Sequence, residues 1–269
     1  MSDAVQFMAL PFLACTVLPG LLVYLGLHVV QREIVFVDLA LAQVAALGSC
    51  VSVLLGHDPC AWQTYAWSFG FTLVGAGILA VMRPRDRRVP QEAVIGIVYV
   101  LAAAAAIVVL NYTVHGAEEL RRMLVGEIIL VKPVELFVMF GVFAAVAVAH
   151  YLFRKPLLAL SFGPQPPRHV VGWDFLFYVL FGIVVTCFVH IGGVLLTFCY
   201  LVIPAVVSRL LAASLRAQIC AGWLFVAMGS AAGLGVSYVA DWPSGAAIVC
   251  ALGFALVIVV VYKRVIRRI

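Results

Sequence analysis

The chain has 269 residues, of which 65% are apolar and 11% charged, with a formal net charge of +5. Soluble domains run at about 45–50% apolar and about 25% charged, so a water-soluble globular protein is excluded, and the abundant apolar surface excludes a disordered chain. At ~20 apolar residues per crossing of a hydrocarbon layer ~30 Å thick, the length suffices for roughly eight to ten helices and leaves no room for a sizeable aqueous domain.

Long unbroken runs such as Val94 to Leu110 and Ala246 to Tyr262 lack the two-residue alternation of a lipid-facing strand, so the spans are read as helices. Helices satisfy their own backbone hydrogen bonds, which hydrocarbon cannot do for them. In chain order the predicted segments are 7–30, 34–55, 61–82, 91–110, 133–153, 173–189, 192–211, 217–239 and 245–262. No basic stretch precedes the first and no small-residue cleavage site follows it, so it is expected to be retained rather than removed as a signal peptide. The expected fold is an all-α polytopic membrane bundle of about eight or nine helices, forming a single domain over residues 1–269.

The basic residues set an orientation. With the first segment ending inside, Arg32, Arg83, Arg85, Arg87, Arg88, Arg154, Lys155, Arg168, Arg209, Arg216, Lys263, Arg264, Arg267 and Arg268 are cytoplasmic, and only Arg121, Arg122 and Lys132 are outside. This bias predicts an external N-terminus and a cytoplasmic C-terminus. It also accounts for the net charge as a topology signal plus attraction to anionic membrane lipid, with no nucleic-acid partner required.

The seven cysteines lie in or beside apolar spans without a C-x-x-C pair and read as small buried side chains. Two longer polar stretches remain. Asn111 to Pro133, with His115, Glu118, Glu119, Arg121, Arg122 and Glu127, falls outside and suits a short surface helix. Lys155 to Trp173, with Pro156, Pro164, Pro166 and Pro167, falls inside, where a peripheral partner would dock.

No G-x-x-x-x-G-K-[ST] is present and none of the three lysines follows a glycine, so the chain carries no phosphate-binding loop of its own. H-E-x-x-H, G-x-S-x-G and zinc-spaced His/Cys pairs are also missing, so no enzyme activity is expected. Five strings do occur in order: Phe36-Val-Asp-Leu-Ala-Leu-Ala-Gln-Val-Ala-Ala-Leu-Gly48, Gln91-Glu-Ala-Val-Ile-Gly-Ile97, Leu124-Val-Gly-Glu-Ile-Ile129, Gly192-Gly-Val-Leu-Leu-Thr through Leu201-Val-Ile-Pro-Ala205 to Arg209, and Asp241-Trp-Pro-Ser-Gly-Ala-Ala-Ile248. Their order and spacing resemble the permease subunits of bacterial ABC transporters for zinc, manganese and iron(II), over nearly the whole chain. The resemblance implies a homodimeric inner-membrane subunit, driven by a cytoplasmic ATP-binding subunit and fed by an extracytoplasmic metal-binding protein. It implies no resident cofactor.

The candidate pathway residues are Asp38, Gln43, Pro204 and His190. An ionisable group inside a span is costly and is by default a functional candidate, and Arg32 is near enough in sequence to pair with Asp38. The family's second span usually carries Asp and His at i and i+4, one helix face offering oxygen and imidazole ligands. Here those positions are Leu39 and Gln43, with Asp38 displaced by one, so a neutral amide replaces the imidazole and the cargo ion is left open. Pro204 removes a backbone donor and predicts a kink. Gly192 and Gly193 allow close helix contact or a sharp reversal between the sixth and seventh spans. His190, His57 and His115 fall on the outer side, where neutral imidazole is a transition-metal ligand. Glu92, Asp174 and Asp241 sit at predicted helix ends, where a carboxylate reaches water or caps a terminus.

The loop after the fifth span typically reads Ser-Phe-Asp-Pro in the family and continues into a short helix that presses on the ATPase. This chain reads Ser161-Phe162-Gly163-Pro164, followed by Gln165, Pro166 and Pro167, and these prolines suit a helix start rather than an interior. An alternative function, a stand-alone secondary transporter or channel for a small cation, requires ionisable groups in mid-span, and few are present.

Overall fold

The computed structural model describes residues 2–58, 61–83, 89–112, 126, 128–165 and 167–266. Among these the chain is helical, with no strand. The helices are α1 (Ser2–Val17), α2 (Pro19–Gln31), α3 (Val37–Leu54), α4 (Trp62–Val81), α5 (Gln91–Leu110), α6 (Pro133–Leu152), α7 (Arg154–Phe162), α8 (Val170–Leu211), α9 (Leu215–Ala240) and α10 (Ser244–Ile266), with a single 3-10 turn at Ile128–Leu130. The predicted surface helix falls largely on residues 113–125 and 127, which lie outside the described residues together with His115, Glu118, Glu119, Arg121 and Arg122. Of that stretch, the 3-10 turn is what the structure describes.

Eight helices among the described residues are long and apolar enough to cross a membrane. The first predicted span is α1 and α2 together, divided at Leu18, where Pro19 opens the second helix; proline suits a first helical position because no intrahelical donor is needed there. The sixth and seventh predicted spans are the two parts of α8, whose 42 residues are interrupted at Gly193 with φ 73° and ψ 167°. This region of backbone space is essentially reserved for glycine. Gly192 and Gly193 were expected to allow a sharp reversal between these spans, and the backbone leaves helical geometry at Gly193; Pro204, eleven residues later, is buried within the second part.

The chain divides into two compact units. The first comprises Met1–Val30, Val125–Phe143 and Ile191–Ile269. Its helices meet where a side chain is missing: a β-carbon at Gly26 of α2 would fall on the Leu201 carbonyl of α8, and one at Gly222 of α9 would lie 2.6 Å from Val23. Small residues that let backbones approach are the usual means of helix association in lipid. Polar contacts supplement them. Tyr200 Oη lies 2.7 Å from Ser230 Oγ, and the Trp223 indole donates to the Thr16 carbonyl at 2.7 Å.

The second unit comprises Gln31–Leu124 and Ala144–His190. Here α3 packs on α4 and α5. Gly48 sits against the Trp67 carbonyl, and Gly75 of α4 against Val44. Cys50, Ala106 and Leu110, with Leu47 and Val109 around them, fill the contact with α5.

Candidate transport pathway

Asp38 is the second residue of α3. The residue is 2% exposed, and Oδ1 is buried with no hydrogen-bond partner. The expected pairing with Arg32 is not made. Arg32 Nη2 donates to Asp174 Oδ1 instead, 142 residues away in sequence.

Gln43 is also buried, but the structure does not bring it together with Asp38. At 3.6 residues per turn, five residues rotate a side chain by about 140°. Gln43 follows the Leu47 and Cys50 side of α3, which meets α5. Asp38 shares its face with Ala42, Ala45 and Ser49, all buried. Ser49 Oγ, like Asp38 Oδ1, is buried without a partner. The two oxygens are separated by eleven residues, about 16 Å of helix rise, with two alanines between. Ser49 escaped sequence reading; its three-turn spacing from Asp38 was the available signal.

His190 is exposed in the last turn before the Gly193 break. Its ring stacks on Tyr65 at 5.0 Å, and Nδ1 lies 3.1 Å from the Thr186 carbonyl. His57, at the same end of α4, places Nδ1 3.1 Å from the Ser52 carbonyl, and Ser52 Oγ meets Thr64 Oγ1 at 3.0 Å. A carbonyl only accepts, so both rings carry their proton on Nδ1 and, when neutral, a lone pair on Nε2. Among the described residues no group of three His, Cys, Asp or Glu side chains is placed to hold a metal ion.

Ser161 and Phe162, the first half of the Ser-Phe-Gly-Pro string, are the last two residues of the nine-residue helix α7. After it, the next helix among the described residues is α8, from Val170. Gly163 caps α7 in extended conformation, donating its N–H to Ala159, and a β-carbon there would lie 2.6 Å from the Ala159 carbonyl oxygen. The Asp of the family pattern therefore has no space in this loop. Pro164 is exposed. At the other end of α7 an open groove of about 420 Å³ is lined by Tyr151, Arg154, Lys155 and Trp173, among others.

Asp174, expected at a helix end where a carboxylate reaches water or caps a terminus, is fully buried in the second turn of α8, its two oxygens taken by Arg32 and Arg83. Glu92 lies in the first turn of α5 as expected, and Asp241 caps α9 in left-handed conformation, φ 55°.

The model of the ABC 3 transport family matches residues 4–263. The chain belongs to that family. It is a multi-pass membrane permease. Among its relatives is the manganese transport system membrane protein MntC of Halalkalibacterium halodurans, 24% identical over 233 residues, covering 84% of this chain and 76% of the relative. The protein of the same name from Listeria monocytogenes is 24% identical over 230 residues, 84% of this chain and 79% of the relative. Its fold is shared by PsaBC from Streptococcus pneumoniae in complex with Fab, with TM-score 0.77 at 24% identity, covering 96% of this chain and 93% of that one. A metal-chelate type ABC transporter in an inward-facing conformation is similar at TM-score 0.71 and 15% identity, covering 97% and 88%.

Proposed function

We propose that this chain, acting as one permease domain, is the membrane subunit of a bacterial inner-membrane importer for divalent transition-metal ions, with manganese as the leading cargo. The observation that carries the reading is the family match over residues 4–263, reinforced by two relatives named for manganese transport. In this reading a cytoplasmic ATP-binding subunit supplies the energy, an extracytoplasmic metal-binding protein delivers the ion, and two copies of the chain assemble. The Ser161–Pro164 loop and α7 transmit force from the ATPase.

The pathway chemistry supports manganese. Asp38 and Ser49 on one face of α3 and Gln43 on another each offer an oxygen, separate contacts of a kind that suits manganese better than zinc. His190 serves at the entrance, and the Gly193 break and Pro204 loosen the helix through which the ion passes. The test is uptake of radiolabelled manganese and zinc in a strain lacking the chain, complemented with wild type, Asp38→Ala or Gln43→Ala. Wild type is expected to restore manganese accumulation and both variants to lower it. Unchanged accumulation of every divalent metal on deletion overturns the import reading, while normal uptake by both variants overturns the residue assignment alone.

A further inference from the structure

Asp174 has no exposed surface, yet it holds two guanidinium groups, Arg32 on Oδ1 and Arg83 on Oδ2 at 2.5 Å. The two arms are unequal. The Arg32 side chain is 6% exposed, its guanidinium lies over the Phe177 ring at 4.8 Å and the Tyr178 ring at 5.3 Å, and it donates to Tyr178 Oη at 3.3 Å. The Arg83 side chain is 36% exposed. Gln91 adds a further tie by donating to Tyr178 Oη at 2.6 Å. The Asp174 carboxylate thus joins the residue that follows α2 and a residue just after α4 to the start of α8, and Tyr178 joins the first residue of α5 to the same part of the second unit.

Removing the buried arm uncovers a cation beneath two aromatic rings, which is strongly unfavourable. The Arg83 arm is the easier of the two to open, because its guanidinium is partly exposed and Arg32 continues to neutralise the buried carboxylate. Nineteen residues separate Asp174 from the break at Gly193, about 28 Å of helix, close to the thickness of the hydrocarbon core. The first part of α8 is thus held at its start by a buried charge cluster and ends at the Gly193 break.

We infer that Asp174 is a positioning residue for transport, and that its bond to Arg83 is a latch that opens during the cycle while the Arg32 arm stays closed. The latch rests on the permease reading above. Opening it releases one of the ties on the start of α8, while the Arg32 arm keeps the buried carboxylate paired and Gln91 still holds Tyr178.

The test pairs two measurements on Arg83→Gln and Arg83→Lys. In purified permease, amide hydrogen exchange over residues 170–178 is expected to rise about tenfold in Arg83→Gln, with global melting close to wild type, and to return in Arg83→Lys. In cells carrying the complete transporter, manganese uptake is expected to fall about tenfold in Arg83→Gln and to recover in Arg83→Lys. Unchanged exchange in Arg83→Gln overturns the latch, and so does raised exchange with wild-type uptake. If the wild-type chain takes up no manganese, zinc or iron, the permease reading fails instead; the exchange experiment, which needs no cargo, still decides whether the Arg83 arm holds the start of α8.

Discussion

Replacing Gly193 by alanine tests the break in α8 directly. The observed φ of 73° and ψ of 167° lie in a region that costs a residue with a β-carbon about 1–3 kcal/mol. Alanine also gains about 0.5–1 kcal/mol over glycine wherever the backbone becomes helical, so both effects push toward a continuous helix. The first effect alone corresponds to a 5- to 150-fold shift, roughly, between the two backbone states. The control is Gly235→Ala in α9, where a β-carbon meets nothing within 4 Å and the same change should stabilise by about 0.5 kcal/mol or more. Melting of the purified chain and manganese uptake in cells provide the assays. Gly193→Ala is expected to melt several degrees lower and to transport poorly, whereas Gly235→Ala matches or exceeds wild type. If the two variants behave alike, the interruption is not something the fold depends on.

Three other outcomes are expected. Gly26→Ala places a methyl group on the Leu201 carbonyl and should cost about 1–3 kcal/mol by overpacking, read as a lowered yield of folded protein and a lower melting temperature. Gly163→Asp, which restores the family pattern, meets the Ala159 carbonyl oxygen 2.6 Å from its β-carbon and adds a negative charge at a helix C-terminus. It should loosen α7 by roughly 1 kcal/mol or more, visible as faster amide exchange over residues 154–162. Tyr200→Phe strands the buried Ser230 hydroxyl and should destabilise by about 0.6–1.7 kcal/mol, the range of polar contacts between membrane helices; a double variant with Ser230→Ala should recover most of the loss.

The spans were legible because a helix crossing hydrocarbon needs a long apolar run, and that requirement is written locally. Val37–Leu54, Trp62–Val81 and Gln91–Leu110 fall within a few residues of their predicted limits. The pairing of charges was not legible. Arg32 has a carboxylate six residues away at Asp38, yet binds Asp174 across 142 residues, a choice made by packing rather than by proximity along the chain. Asp38 was recognisable as an ionisable group inside a span, but that its face continues to Ser49 rather than to Gln43 emerges from helical phase and from which side meets α5. The interruption of α8 was half legible. Both Pro204 and the Gly192–Gly193 pair signalled it, and the glycine prevailed because its backbone enters a region closed to other residues, whereas a proline can stay in a helix when its neighbours absorb the lost hydrogen bond.

The close approaches at Gly26, Gly48 and Gly222 have a practical corollary for anyone seeking a sturdier version of this protein. Alanine scanning for thermal tolerance succeeds where a glycine faces open space, as at Gly70, Gly96, Gly141 and Gly253, and there each exchange removes chain freedom from the unfolded state. At the crowded positions the same exchange drives a methyl group into a neighbouring backbone, at Gly26 and Gly48, or into the Val23 side chain, at Gly222. A stabilised variant should draw its substitutions from the first group and leave the second untouched.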